Sequence, residues 1–241
     1  MPSKIRLYFS KELKANLISS LSAEQSHYIK NVMRLKPGDT ISLFNSINGE
    51  WRAKIVNHNR KNTEFKVEEY IKGKKLEKDI WLAFSPIKKN HLDLMIQKTT
   101  ELGVQKFIPI LSERTIVKEI NIERLKKIAI EASEQSNRVT VPEINNLEPL
   151  KIFLNKFSKE GSLIFCDVNC KKNNLENILP KKRVGPVCIL VGPEGDFSEK
   201  ERQLIIEKKE ISSFSLATNL LRAETAAIAA VTIVNYHLNF S

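Results

Sequence analysis

Hydrophobic positions in this chain change their spacing near residue 80. Before that point, Thr40-Ile41-Ser42-Leu43-Phe44, Trp51-Arg52-Ala53-Lys54-Ile55-Val56 and Thr63 to Ile71 alternate or carry β-branched residues. That is the period-two signature of half-buried strands. Lys36-Pro37-Gly38-Asp39 and Asn48-Gly49 punctuate them as turns. One helical segment, Ala23 to Met33, interrupts the pattern. Residues 1–71 therefore read as a small β-barrel, and the charged stretch Lys72-Gly73-Lys74-Lys75-Leu76-Glu77-Lys78-Asp79 reads as a linker.

Beyond it strands and helices alternate. Ile80 to Phe84 predicts a strand, Asn90 caps a helix that runs to Leu102 and stops at Gly103, and Lys106 to Ile110 predicts the next strand. A helix over 122–135 and a strand over 162–165 follow. Val187 to Val191 is apolar without alternation, as in a central strand covered on both faces. Ser198 with Glu201 forms a capping box that starts a helix at Glu199, running to about Lys209. Phe214 to Leu216 reads as a strand end. Glu224 to His237 reads as a helix whose Ala226, Ala227, Ile228, Ala229, Ala230, Val231, Ile233 and Val234 are apolar almost all round, so it is expected to be buried, in part against a second subunit. The alternation predicts an α/β domain with a mainly parallel sheet.

Two loops in the last quarter stand between a strand and a helix: Leu190-Val191-Gly192-Pro193-Glu194-Gly195-Asp196-Phe197 and Leu216-Ala217-Thr218-Asn219-Leu220-Leu221-Arg222-Ala223-Glu224-Thr225-Ala226. Parallel sheets bind ligands at that edge, where the first turn of each following helix offers free N–H groups. Gly192 and Gly195 are expected to supply unusual backbone conformations and close approach to a ligand, and Pro193 to stiffen the turn.

Composition narrows the class. The chain of 241 residues is 41% hydrophobic, enough for one large core or two small ones. No run approaches the roughly 18 apolar residues that a membrane span needs, and the charged start Met1-Pro2-Ser3-Lys4-Ile5-Arg6 lacks a signal core. A cytoplasmic protein is the expectation, with no membrane partner. Cys166, Cys170 and Cys188 lack the paired spacing of a zinc site and the four histidines are scattered, so no metal is expected. The net charge of +11 favours a polyanionic partner. Residues 1–72 hold 13 Lys and Arg against 7 Asp and Glu, whereas residues 73–241 hold 26 against 21, so positive charge is densest in the smaller domain. A basic barrel beside an α/β domain suggests one part that grips nucleic acid and one that does chemistry.

The glycine signatures of dinucleotide enzymes and of P-loop NTPases are absent. The loops that are present resemble those of the SPOUT class of S-adenosylmethionine-dependent RNA methyltransferases, and more narrowly the RsmE family, which methylates N3 of a uridine in 16S ribosomal RNA. The resemblance rests on His27-Tyr28-Ile29-Lys30-Asn31-Val32-Met33-Arg34-Leu35-Lys36-Pro37-Gly38-Asp39, on Met95-Ile96-Gln97-Lys98-Thr99-Thr100-Glu101-Leu102-Gly103-Val104, on Ser112-Glu113-Arg114 and on Glu131-Ala132-Ser133-Glu134-Gln135-Ser136. Its most specific pieces are Gly192-Pro193-Glu194-Gly195 with Phe197-Ser198, and Leu221-Arg222-Ala223-Glu224-Thr225-Ala226. Ala217 stands where the family usually has glycine, and Asn219 where arginine is common; the alanine requires a negative φ or strain.

The resemblance implies a PUA-like RNA-binding β-barrel over 1–72 and a SPOUT α/β domain over 73–241 with a trefoil knot. It also implies a homodimer, the small ribosomal subunit as partner and S-adenosyl-L-methionine as cofactor. Cofactor contacts fall on Leu190, Gly192, Pro193, Glu194, Gly195, Leu216, Ala217, Leu220, Leu221, Arg222, Thr225 and Ala226. Deprotonating N3 puts negative charge on the uracil ring, so Arg222 is the candidate cation, and Glu224 is expected to orient Arg222 or assist proton removal. Candidate RNA contacts are Arg6, Lys30, Arg34, Lys36, Arg114 and Arg138; Glu101, Glu131, Glu134, Gln135 and Arg138 are second-rank cleft residues. Two alternatives stay open: a methyltransferase of the same fold acting on another rRNA or tRNA site, and a non-catalytic RNA-binding assembly factor.

Overall fold

A computed structural model describes residues 5–60, 62–75, 77–157, 161–170, 185–208 and 211–240. The chain divides into two compact units, Met1–Leu76 with Ser133–Val141, and Glu77–Ala132 with Pro142–Ser241.

The first unit contains β1 (Arg6–Tyr8), β2 (Ile18–Ser20), α1 (Ala23–His27), a π-helical turn (Tyr28–Val32), β3 (Thr40–Asn45), β4 (Gly49–His58) and β5 (Thr63–Lys72). Its five strands run in the order β1-β3-β4-β5-β2, with only the β1–β3 pair parallel. The expected alternation is visible in β5, where Thr63, Phe65 and Val67 are buried and Lys66 and Glu68 exposed. Register shifts along β4 and β5 coil the sheet around a core of Leu7, Leu13, Ile29, Ile41, Leu43, Ile55, Phe65 and Val67, giving the barrel-like unit that the sequence predicts. Gly49 closes the β3–β4 hairpin at φ 81°, where a Cβ would lie 2.5 Å from the Lys72 carbonyl. The helix expected over 23–33 is split, its second half being the π-helical turn.

Residues 133–141 complete this unit through Arg6. The Arg6 guanidinium grips the buried Glu50 with both arms (Nε to Oε1 3.1 Å, Nη2 to Oε2 3.0 Å). It also donates to the carbonyls of Ser133, Glu134 and Arg138, and it lies 4.4 Å from the centroid of Phe44. Lys72 adds a second cation 3.4 Å from Glu50, and Tyr8 N–H donates to Glu134 Oε1.

The second unit contains β6 (Ile80–Phe84), α2 (Lys89–Glu101), β7 (Lys106–Leu111), α3 (Ile122–Gln135, whose last residues belong to the first unit), β8 (Glu143–Ile144) and β9 (Glu148–Pro149). Then come α4 (Leu150–Phe157), β10 (Ser162–Cys166), β11 (Val187–Val191), α5 (Glu199–Ile206), β12 (Ile211–Phe214) and α6 (Ala223–Phe240). The parallel sheet runs β12-β10-β11-β6-β7-β8, with β9 also on β7. β11 is buried along its whole length, as its unbroken apolar run predicts.

Local chemistry corrects several boundaries. Asn90 is not the cap of α2: the cap is Lys88, which makes no side-chain cap bond, and Asn90 lies inside the helix. Gly103 does end it, at φ 101°. α5 stops at Ile206, and β12 ends at Phe214, so Ser215 and Leu216 belong to the loop. α4, with Leu150, Phe153, Leu154 and Phe157 buried on one face, went unread in the sequence. α6 packs on α2, β11 and β6 and buries Ala227, Ala230, Val231, Val234 and Leu238, while Thr225, Thr232 and Tyr236 stay exposed.

Candidate active site

The C-terminal ends of β6, β7 and β11 carry three neighbouring segments. Ser85, just past β6, donates its N–H to the Val191 carbonyl at the end of β11. Its hydroxyl lies 3.1 Å from Ser112 Oγ, just past β7, and Ser112 in turn meets Thr115 Oγ1 at 2.7 Å. The chain leaves β12 at the sheet edge and reaches α6, over β11 and β6, through Ser215 to Arg222. Both sequence-predicted loops thus belong to one edge of the sheet, where such folds bind ligands.

The first loop owes its shape to pins rather than to glycine torsions. Neither Gly192 nor Gly195 has positive φ, against the expectation; the left-handed residue is Asp196, at φ 57°. Gly192 is needed for space, since a Cβ there would meet the Phe197 ring at 3.1 Å. The expected capping box is present, with Glu201 N–H to Ser198 Oγ at 3.2 Å and Ser198 N–H to Glu201 Oε2 at 3.1 Å. Glu201 Oε1 also accepts from Glu113 N–H at 2.8 Å, and Arg114 Nη1 donates to the carbonyls of Gly195 (3.0 Å) and Phe197 (3.4 Å). At the far side of α5, Arg202 makes a two-armed pair with buried Asp167 beyond β10.

Accounting for amides shows what the loop offers. Asp196, Phe197 and Ser198 N–H groups are taken by Pro193 O, Asp196 Oδ1 and Glu201 Oε2. Those of Gly192, Glu194 and Gly195 have no acceptor among the described residues. Free amides grouped beside a helix start are donors for a ligand.

In the second loop Ala217, Thr218, Asn219 and Leu220 are exposed, Leu220 at 83%. Ala217 keeps a negative φ, so it carries no strain in place of the family's glycine. Arg222 is exposed, and its guanidinium has no partner among the described residues. Glu224 does not pair with it. The Glu224 carboxylate is buried and lies 2.9 Å from Nδ1 of His91, on the first turn of α2. Thr225 is exposed and Ala226 half-buried.

Several predicted residues fall elsewhere. The Leu190 side chain is sealed in the core beneath the loop, and the residue lies within the sheet between β10 and β6, so it offers a ligand no contact surface. Arg6 is committed to Glu50 and to three carbonyls, and Arg138 is buried with its guanidinium on Thr140; neither is free for an RNA phosphate. Arg114 braces the first loop instead. Lys30, Arg34 and Lys36 do stand exposed on the first unit, beside exposed Tyr28, Val32 and Met33. Glu134 serves Tyr8, and Glu101 pairs with Lys98. Glu131 borders a cavity of about 380 Å³ between α2 and α3, with Asn90, Asp93, Leu94, Gln97, Arg124 and Ile128. Burial pushes the Cys166 thiol up to about 12. Sequence reasoning missed His91 and the reach of Glu201: the Ser198-Glu201 spacing announced the cap, but nothing local announces a contact 88 residues away.

Comparison with known proteins fits this arrangement. A family model described as an RNA methyltransferase domain matches residues 73–235, and one described as an RNA methyltransferase PUA domain matches residues 21–68. The ribosomal RNA small subunit methyltransferase E of Rickettsia conorii is 35% identical over 228 residues, 94% of this chain and 93% of that protein. This chain belongs to the ribosomal RNA small subunit methyltransferase E family. A relative of that name from Buchnera aphidicola subsp. Schizaphis graminum is 32% identical over 94% of each chain. The crystal structure of the Neisseria gonorrhoeae methyltransferase E bound to S-adenosyl methionine superposes with a TM-score of 0.87 at 28% identity, over 98% of this chain and 99% of that one. The methyltransferase E family thus spans both units of the fold.

Proposed function

We propose that this protein transfers a methyl group from S-adenosylmethionine to N3 of a uridine in 16S ribosomal RNA. The observation that carries the reading is the pairing, on one sheet edge, of a loop whose Gly192, Glu194 and Gly195 amides have no acceptor among the described residues and a loop that ends in Arg222, whose guanidinium has no partner among them. The residues suit the cofactor. Amides of the first loop can hold its polar groups, and Leu216, Leu220 and Leu221 offer apolar cover for an adenine. Bound there, the cofactor supplies an electrophilic methyl group on sulfur.

The chain's own task is to position the acceptor and manage its charge. N3 of uracil is a poor nucleophile while protonated, and the exposed Arg222 guanidinium would stabilise the anion that forms on the ring. Glu224 serves proton removal through His91: a buried carboxylate facing Nδ1 keeps a proton there and leaves Nε2, which has no partner among the described residues, as an acceptor. Because N3 lies on the pairing edge, the base must be unpaired or extruded. Lys30, Arg34 and Lys36, with Tyr28, are the basic and aromatic groups that would grip the surrounding strand.

The same reading includes a homodimer that uses α6, a trefoil knot at the carboxyl end, a cytoplasmic location and the small ribosomal subunit as partner. No helix among the described residues is long and apolar enough to cross a membrane. Incubation of small-subunit rRNA with the protein and isotopically labelled S-adenosylmethionine, followed by nucleoside mass spectrometry, tests it. Labelled 3-methyluridine is expected. Label on another nucleoside or in transfer RNA assigns a different target, and no label at all removes the enzymatic reading.

A further inference from the structure

We infer that Arg114 and Glu201 form a clamp that positions the Gly192–Ser198 loop for the methyl donor. Arg114 is thereby a positioning residue for the cofactor rather than an RNA contact. The inference rests on the proposed function only in taking the donor to bind at this loop.

The loop's peptide planes carry the argument. The plane between Gly195 and Asp196 is held at both ends: its carbonyl accepts from Arg114 Nη1 at 3.0 Å, and its N–H donates to Pro193 O at 2.9 Å. The plane between Phe197 and Ser198 is held in the same way, with the carbonyl accepting from Arg114 at 3.4 Å and the N–H donating to Glu201 Oε2 at 3.1 Å. Between these two planes sits Asp196 in the left-handed region, φ 57°, a conformation that costs a non-glycine residue free energy unless its surroundings impose it. Arg114 supplies one pin to each plane.

Glu201 closes the clamp from the other side. Its carboxylate is buried, and its two oxygens take N–H groups from two different segments: Ser198 of the loop and Glu113 of the turn after β7. The turn therefore gives the loop a side chain, Arg114, and receives a side chain, Glu201, from the helix that follows the loop. A crossed pair of this kind fixes the turn and the loop as one body. The three amides left without acceptors, those of Gly192, Glu194 and Gly195, are presented by that body. Preorganised donors bind without the cost of ordering them first, so loosening the clamp should weaken donor binding while leaving the reacting groups in place.

The test is calorimetric titration with S-adenosylmethionine on the full-length protein, alongside turnover at saturating donor, RNA binding and thermal unfolding. Arg114→Ala and Glu201→Gln are each expected to raise the donor Kd about tenfold, the effect of one or two lost hydrogen bonds to charged groups. Turnover at saturating donor should stay within about twofold, and RNA affinity should not change. Arg114→Lys, which retains a cation, should recover part of the loss. Unchanged donor affinity in Arg114→Ala overturns the clamp while the proposed function stands; so does a fall in RNA affinity without a change in donor Kd. If the unaltered protein takes up no donor, the proposed function fails and the clamp falls with it. Should Glu201→Gln not fold, Arg114→Ala decides the matter, because that side chain is exposed.

Discussion

His91 Nδ1 stands 2.9 Å from Oε1 of Glu224, joining the first turn of α2 to the first turn of α6. A carboxylate at a helix start is favoured by the helix dipole, but this one is only 7% exposed and needs a partner as well. His91→Ala should lower stability by about 1–3 kcal/mol by stranding it. His91→Lys should restore stability, since an ammonium can pair with Glu224, yet turnover should stay low because a charged ammonium accepts no proton. Thermal unfolding and single-turnover methylation separate the two effects. Recovery of both together would assign the pair to holding α6 and nothing more.

Glu50 sets an acid limit on the first unit. Burial by itself would raise its carboxyl pKa, but hydrogen bonding and charge from Arg6, then from Lys72, more than offset this and hold it below 4.5. The folded value lies under the unfolded one, so the stabilisation is complete above the unfolded pKa and is lost as pH falls through the folded pKa. Stability should therefore fall below pH 4.5. Glu50→Gln should make that fall shallower and lower neutral stability by about 3 kcal/mol, because Arg6 loses its anion in a buried setting. Urea unfolding across the acid range checks this; parallel curves for the two proteins would exonerate Glu50.

Gly192→Ala should destabilise the protein by about 1–2 kcal/mol through overpacking. The new methyl would press on Phe197, which is 3% exposed and already packed edge-on against Phe165 at 5.6 Å, so the ring has little room to retreat. An unshifted melting temperature would mean that the ring yields freely.

Replacing Lys30, Arg34 and Lys36 together by Gln, Asn and Gln should weaken RNA binding and reduce the slope of log affinity against log salt by about 0.7–0.9 per lost phosphate contact. Asn suits position 34, where φ is 54°. The fold should be unaffected. Arg6→Ala should do the reverse, destabilising the first unit, because that guanidinium serves Glu50 and three carbonyls. Equal salt slopes for the triple variant and the unaltered protein would place RNA elsewhere.

Periodicity made the long elements legible. Ile80–Phe84, Ile122–Gln135 and Val187–Val191 stand where spacing puts them, because a continuous apolar run or a helical stripe has few other ways to be buried. Short elements such as Arg6–Tyr8 and Glu143–Ile144 carry too few residues to show a period. Asn90 illustrates a local rule overridden: a favourable capping residue sits two residues past the N-cap position, Lys88, and α2 begins at Lys89 without a side-chain cap. At the site, the loops and the Ser198–Glu201 cap could be read because their signals are local. His91 with Glu224 and Arg114 with Gly195 could not, since each pair meets only after the parallel sheet brings distant strand ends together. Arg6 and Arg138 misled for the same reason: sequence counts a charge without showing what already neutralises it.

The strap at 133–141 has a consequence for biosynthesis. Arg6 finds its carbonyl acceptors, and Tyr8 its carboxylate, only in that later stretch. Until residue 141 has been synthesised the amino-terminal sheet lacks those partners, and by then the sequence of β6, α2, β7 and α3 has already been made. Severing the polypeptide at the linker would part the amino-terminal sheet from the acceptors of Arg6 and Tyr8 in residues 133–141.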